Sequence, residues 1–328
     1  MMRIAHFSDL HVLALEGVGW ARYMNKRLTG VANLALRRAP LDELSGAWRA
    51  AAERMPKRFR KKDVHRTEYV RTVAREIAKT CVDHVAITGD VTNLALEPEF
   101  AAARTILEGE LHLGPRDISL VPGNHDLYTR GALKERRFGQ FFADYTHCDV
   151  DLAVDIGAGH FPYVKLRGPC AIIGLSSAVP RLPFVAAGVL GTPQLDALSR
   201  VLEHPEVKRR TPVILLHHPP LGPQSKAKQL TEGLHDAAEF QKRVQGIPRG
   251  LVLHGHLHKR MQGRLGGLTV VGAASASLHH EHEARMSGFN VYEFSDDGAL
   301  VSIEAHVLDP SETRFHKEAV PEAPAHYW

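Results

Sequence analysis

Cysteine is scarce in this chain of 328 residues: there are three, Cys81, Cys148 and Cys170. An odd, widely spaced set excludes a disulfide framework, offers no zinc-knuckle spacing and fits a reducing compartment. Long apolar runs are missing too. No stretch of about 18 apolar residues occurs, so nothing in the sequence reads as a transmembrane helix. The opening MMRIAHFSDLH carries no apolar core behind a charged start, so no secretory signal is expected. Charge of one sign is not in excess; the formal net charge of +4 names no partner. Repeats and low-complexity segments are absent as well. The expectation is a cytoplasmic globular protein.

Hydrophobic residues make up 44% and charged residues 24%, proportions ordinary for a globular enzyme with a sizeable core. Histidine is the abundant exception, with 21 copies. Neutral imidazole is the commonest protein metal ligand, so this count raises the prior on a metal site without establishing one.

The order of elements gives the fold class. Arg3 to Ser8 reads as a strand ending at Asp9-Leu10-His11. Thr67 to Thr80 has apolar residues at helical spacing. His84 to Thr88 is a short buried strand closed by Gly89-Asp90. Pro98 to Leu107 is a second helix, and Ile118 to Val121 a strand running into Pro122-Gly-Asn-His-Asp126. The second half repeats the style. Ala171–Leu175, Pro212–Leu216 and Leu251–Leu253 are strands, Pro193–Leu202 and Ala237–Val244 helices. Leu268–Val271 and Phe289–Phe294 are expected as closing antiparallel strands. Such alternation implies an α/β protein with parallel strands under helices, and ligands bind at the carboxyl ends of those strands.

Five polar clusters fall at those ends: Asp9-Leu-His11, Gly89-Asp90, Gly123-Asn-His-Asp126, His217-His218-Pro219 and Gly255-His-Leu-His258. A lone Asp-x-His is common by chance, and a lone Gly-Asp or Gly-Asn is usually a turn. Gly-His-x-His is stronger, because alternate residues of an extended segment point the same way. Five clusters in this order, each at a strand end, are the signal. Carboxylate, imidazole and amide donors without thiolate suit manganese, iron or zinc in a reactive site rather than structural zinc.

This ordered set resembles the calcineurin-like metallophosphoesterase superfamily over roughly residues 3–294. Within it, the short Gly-Asn-His-Asp, His-His-Pro-Pro and Gly-His-Leu-His motifs are most similar to bacterial cyclic-nucleotide-phosphodiesterase-like members. The resemblance implies a four-layer α/β/β/α sandwich of two mixed sheets, with two metal ions, manganese or iron before zinc, at the edge between the sheets. Asp9, His11 and His258 would hold one ion, Asn124, His217 and His256 the other, and Asp90 would bridge them. His125 would face the phosphate as general acid or charge stabiliser, and Asp126 would orient it through a hydrogen bond. A shared water, made acidic by both ions, would attack phosphorus in line as hydroxide. No serine or cysteine is placed as a nucleophile.

Other side chains have plainer readings. His6 is expected as a hydrogen-bonded core residue, His218 as a structural neighbour of His217, and His254 as packing at its strand end. Asn93 is expected to stand just behind the ligands. His279, His280 and His282 are expected in a solvated loop near the mouth of the site.

Between Trp20 and Arg66 lie thirteen Lys or Arg against four acids, a local charge of +9 that leaves −5 for the rest of the chain. Two stretches, Trp20 to Ala35 and Leu44 to Phe59, have helical spacing. This basic helical insertion, about 14–66, has three readings. It is a lid attracting an anionic substrate, a segment lying on an anionic membrane surface through residues 20–62, or a solvated basic face. The membrane reading would place the protein peripherally at the inner membrane. The expected organisation is one domain over 1–308 and a loosely packed tail over 309–328. The expected function is a dinuclear-metal hydrolase of phosphodiester or phosphomonoester bonds. Its rivals are a pyrophosphatase of nucleotide-sugar lipids, a DNA exonuclease, and a non-catalytic scaffold. No nucleic-acid-binding module accompanies the basic segment, so nucleic acid is not the expected partner.

Overall fold

The computed structural model describes residues 1–14, 64–127, 130–156, 158–181, 185–223, 225–309, 314–324 and 327–328. The helical readings of Trp20–Ala35 and Leu44–Phe59 lie outside the described residues. In chain order the strands are β1 (Met2–Phe7), β2 (Val64–His65), β3 (His84–Ile87), β4 (Ile118–Leu120), β5 (Val154–Ile156), β6 (Gly159–Phe161), β7 (Tyr163–Arg167) and β8 (Cys170–Gly174). There follow β9 (Thr211–Leu215), β10 (Gly250–His254), β11 (Met261–Leu265), β12 (Leu268–Gly272), β13 (Leu278–His279), β14 (Gly288–Phe294), β15 (Leu300–Asp309) and β16 (Arg314–Glu318). Four helices carry the outer packing: α1 (Thr67–Lys79), α2 (Glu97–Glu110), α3 (Thr192–Glu203) and α4 (Ala237–Val244).

Two six-stranded sheets result, in the orders β16-β15-β14-β1-β3-β4 and β11-β12-β10-β9-β8-β7. Both are mixed. β1, β3 and β4 run parallel while β14 is antiparallel to β1. β8, β9, β10 and β12 run parallel while β7 and β11 are antiparallel at the edges. Side chains alternate across a strand, and the second sheet shows what each face meets. Ile172, Val213, Leu215, Leu251 and Leu253 join a core with Phe7 and Ile87 of the first sheet, and Val73 of α1 and Phe100 of α2 belong to the same cluster. Ile173, Ile214 and Val252 point the other way, onto Leu198 of α3 and Phe240 of α4. The molecule is thus the layered α/β sandwich of two mixed sheets that the motif order implied.

Helix α1 shows why its segment is helical. Val70, Val73, Ala74 and Ile77 are buried on one face, while Glu68 and Lys79 sit at the ends where the helix dipole favours each charge.

Two sequence expectations are corrected. Leu268–Val271 belongs to β12, which is parallel to its neighbour β10 and antiparallel only to β11. The chain leaves β10, steps past one strand position to form β11 at the edge, and turns back at Gly266-Gly267 into the gap. An apolar run carries no information about direction, so the sequence could not decide this. The C-terminal residues are also more ordered than a loose tail. Arg314–Glu318 pairs antiparallel with β15, and Tyr327 is buried, its hydroxyl 2.7 Å from His254 Nε2. Among the described residues no helix is long and apolar enough to cross a membrane.

Candidate metal centre

All five motifs follow strand ends, within four residues of β1, β3, β4, β9 and β10. The loops after β1 and β3 run side by side: the amides of Asp9, His11 and Val12 donate to the carbonyls of Gly89, Asp90 and Val91 at 2.8–3.0 Å. The motif glycines are there because no side chain fits. A Cβ on Gly123 would overlap the Asp90 backbone and carboxylate, and one on Gly255 would overlap Ser8 Oγ and Asp9 Oδ2. These contacts bring the turn after β4 against the turn after β3, and the loop of the second sheet against that of the first.

Backbone strain concentrates at the same place. Among the described residues, nine other than glycine have positive φ, and five of them are Asp9, His11, Asp90, His256 and His258. Left-handed conformation is costly for such residues and persists where the surrounding fold over-determines it, commonly at functional sites.

The structure brings all seven expected ligands together. Around Asp9, His258 Nε2 lies 3.1 Å from Oδ1 and 3.1 Å from His11 Nε2. Ligand atoms of Asp9, His11, Asp90 and His258 all lie within 4.8 Å of one another. On the other side, Asn124 Oδ1 is 3.1 Å from His217 Nε2 and 3.2 Å from His256 Nδ1. Asp90 Oδ2 stands between the groups, 3.8 Å from His11 Nε2 and 3.5 Å from His217 Nε2.

Electrostatics fits a cation site. Asp9 and Asp90 are buried, and the only ion-pair partners of either carboxylate among the described residues are histidines. Burial alone would raise both carboxyls, yet the neighbouring imidazoles outweigh it. His258 and His217 hold Asp9 below its ordinary value, and His217, His125 and His11 hold Asp90 well below. His217 mirrors this: burial opposes its charge, but Asp90 and Asp9 raise it to about 9. Burial and the charge of its histidine neighbours keep His256 well below its ordinary value, hence neutral. Two ionised buried carboxylates faced by imidazoles and an amide oxygen, with no Lys or Arg among the described residues paired to them, are a donor set for divalent ions.

His125 is buried beside this cluster, its Nε2 4.0 Å from Asp90 Oδ2 and its amide donating to Asp90 Oδ1 at 2.7 Å. The expected contact from Asp126 is corrected. His125 Nδ1 donates to the carbonyl of Asn93 at 2.7 Å, and that bond sets the ring. The Asp126 carboxylate instead accepts from the amides of Val91, Thr92 and Gly123 and from Thr92 Oγ1, at 2.8–3.2 Å, tying the loops after β3 and β4 together. Burial, then the charge of Asp90, pushes its carboxyl up to about 6 against those bonds. Asn93 does stand behind the site, but through its backbone.

His6 and His218 behave as read. His6 lies between Tyr292 Oη at 3.0 Å and Thr88 Oγ1 at 2.9 Å. His218 bonds Ser177 Oγ at 2.8 Å and the Ala186 carbonyl at 2.7 Å, and burial with the neighbouring His217 lowers it to about 3. The solvated loop expected over His279, His280 and His282 is corrected: His279 ends strand β13, half-buried with its Nδ1 3.2 Å from Tyr69 Oη, His280 is half-buried, and only His282 of the three is exposed. One residue was missed. His65 in β2 packs its ring 4.6 Å from that of His11 and 5.3 Å from that of His258. It follows directly on a Lys/Arg-rich stretch, and its only sequence signal is its place just before helix α1.

The chain belongs to the calcineurin-like phosphoesterase family, whose model matches residues 2–260. It is a metal-dependent phosphoester hydrolase, and the family implies a dinuclear centre of the kind these residues can hold. Among solved structures, a dimetal phosphatase from Danio rerio is similar at TM-score 0.53 and 13% identity, covering 97% of this chain and 99% of that one. The purple acid phosphatase PPD1 from yellow lupin seeds is similar at TM-score 0.56 and 10% identity, covering 96% of this chain and 52% of that one. At such identities the likeness speaks for the fold. No curated protein sequence matches the chain.

Proposed function

We propose that the protein hydrolyses a phosphodiester or phosphomonoester through an ion pair bridged by Asp90. The observation that carries this is the place of Asp90 Oδ2, between His11 Nε2 at 3.8 Å and His217 Nε2 at 3.5 Å. In this reading Asp9, His11 and His258 hold one ion, and Asn124, His217 and His256 the other. When bound, the pair supplies an activated water and an electrophilic clamp for the phosphate oxygens.

The chain's own residues do the rest. Asp9 and Asp90 supply the negative charge that draws cations into a buried site. His217 donates Nδ1–H to the Thr88 carbonyl at 2.7 Å, which presents its Nε2 lone pair once the extra proton is lost. His125, oriented by Asn93, turns its Nε2 edge towards the same cluster, where it can protonate the leaving oxygen of a bound ester. Asp126 holds the two loops in register.

The scaffold reading is disfavoured because a chain relieved of catalysis has no reason to retain seven converging donors. The nucleotide-sugar-lipid and lid readings both rest on the basic segment within residues 20–62, outside the described residues, and remain proposals from its charge alone. The decisive experiment is a hydrolysis panel on metal-reconstituted protein: bis-p-nitrophenyl phosphate, p-nitrophenyl phosphate, cyclic nucleotides and UDP-linked lipids. Metal-dependent turnover of at least one ester supports the proposal. No turnover of any of them, by a protein shown to hold two ions, would refute it.

A further inference from the structure

We propose that His65 is an additional imidazole ligand of the ion held by Asp9, His11 and His258, an inference that rests on the dinuclear reading above. Strand β2 reaches the site by pairing with β13, His65 opposite Leu278. The ring is then fixed from behind. His65 Nδ1 lies 2.8 Å from Ser277 Oγ, and Ser277 Oγ donates to the Asp9 carbonyl at 3.2 Å. Ser275 Oγ donates to the same carbonyl at 2.6 Å. A serine hydroxyl has one proton. Ser277 Oγ also lies 3.1 Å from Ser275 Oγ; in the proposed arrangement its proton goes to Asp9, Ser277 accepts from His65, and the imidazole carries its proton on Nδ1 and its lone pair on Nε2. His217 is likewise held through Nδ1, there by the backbone carbonyl of Thr88. Anchoring through the far nitrogen is how metal-binding histidines are commonly oriented.

The front of the ring meets the right company. A ring nitrogen of His65 lies within 4.8 Å of the ligand nitrogens of His11 and His258. The ring is edge-on to both, at 70° and 82°. The centroids of His11 and His258 are themselves 5.0 Å apart, so the three rings are spaced nearly equally. With metal–nitrogen bonds of about 2.0–2.1 Å, imidazoles sharing one ion stand roughly 5 Å apart between ring centres. The serine pair that holds the backbone of Asp9 also holds His65, so the two are positioned as one unit. His65 groups with His11 and His258 apart from the group these two form with Asp9 and Asp90, so ligation would draw its ring towards the ion; a third imidazole there favours iron, cobalt or zinc over magnesium.

The test is cobalt(II) binding to the full chain, read by calorimetry and by the visible absorption of the bound ion, with H65Q compared against the unaltered protein. The expected result is a fall of at least about tenfold in affinity for one of the two ions, with a shifted absorption band. Two wild-type affinities and an unchanged spectrum in H65Q overturn the proposal and leave the dinuclear reading standing. An unaltered protein that binds no cobalt sinks both. Should H65Q fail to fold by circular dichroism, S277A keeps the imidazole and removes its anchor. Ser277 also bonds the Asp9 carbonyl, so S275A, which removes the shorter bond to Asp9 and leaves the 2.8 Å bond to His65, is the control: a band shifted in S277A and not in S275A supports the proposal, and the same band in both counts against it.

Discussion

Thr88 and His217 are joined by a 2.7 Å hydrogen bond from the imidazole Nδ1 to the carbonyl just past strand β3. The bond ties the carboxyl edge of one sheet to that of the other, and it decides which nitrogen of His217 can meet an ion. The opposite nitrogen is held at 3.5 Å from Asp90 Oδ2.

The first prediction concerns protons. His217 is raised to about 9 in the metal-free protein by Asp90 and Asp9 against burial. A raised histidine stabilises the fold fully below its unfolded value near 6.5, and that contribution is lost as pH rises through about 9. Metal needs the neutral ring, so binding at pH 7 should release close to one proton from this residue. Affinity at that site should climb about tenfold per pH unit up to about 9. Calorimetry in buffers of different ionisation enthalpy measures both, and a pH-independent affinity contradicts the assignment.

Asp90→Ala removes the one carboxylate set between the two groups. Metal content should fall by nearly two ions per chain and turnover by at least about 100-fold, since even indirect partners of ligands are worth 10–100-fold. Elemental analysis after gel filtration reads the first, and a retained full complement would exclude a bridge.

His125→Ala should retain both ions. Its rate on an alkyl phosphodiester should drop about 10²–10⁴-fold, and its rate on a p-nitrophenyl ester far less, because only the poor leaving group needs the proton. Equal losses on both esters would assign His125 to charge stabilisation.

Asp126→Asn tests the corrected role. Its carboxylate accepts four hydrogen bonds from two loops, and an amide group turns donors towards donors. Urea unfolding should show a loss of about 1–3 kcal/mol. The ring of His125, held by Asn93, should keep its place, so kcat should suffer less than in His125→Ala.

Tyr327→Phe removes the hydroxyl that donates to His254 Nε2 at 2.7 Å and leaves a buried acceptor. A stability loss of about 1–3 kcal/mol is expected in thermal melts. His254 also lies 2.9 Å, through Nδ1, from the Gly255 carbonyl, so metal affinity at the His256 and His258 loop should weaken with it.

What the sequence made legible is local. Each ligand motif is a strand followed by a turn, and both leave marks in a few residues: the apolar run of His84–Ile87, then Gly89 where the chain must turn. The direction of β12 was hidden, since Leu268–Val271 would look the same run either way. So was the partner of His125. Asp126 is adjacent and chemically suited, whereas the true partner is a backbone carbonyl that exists in every sequence. His65 escaped because its role depends on Ser277, over two hundred positions away, and on a two-residue strand too short to leave a pattern.

The closeness of Gly255 to Ser8 and Asp9 sets the order of events during synthesis. His256 leaves the ribosome 247 residues after Asp9. At roughly 5–20 residues per second, this interval lasts well over ten seconds. Within that time Asp9 and His11 are joined first by Asp90 and Asn124, then by His217, and last by His256 and His258. The cluster is therefore complete only when the last loop closes on the first.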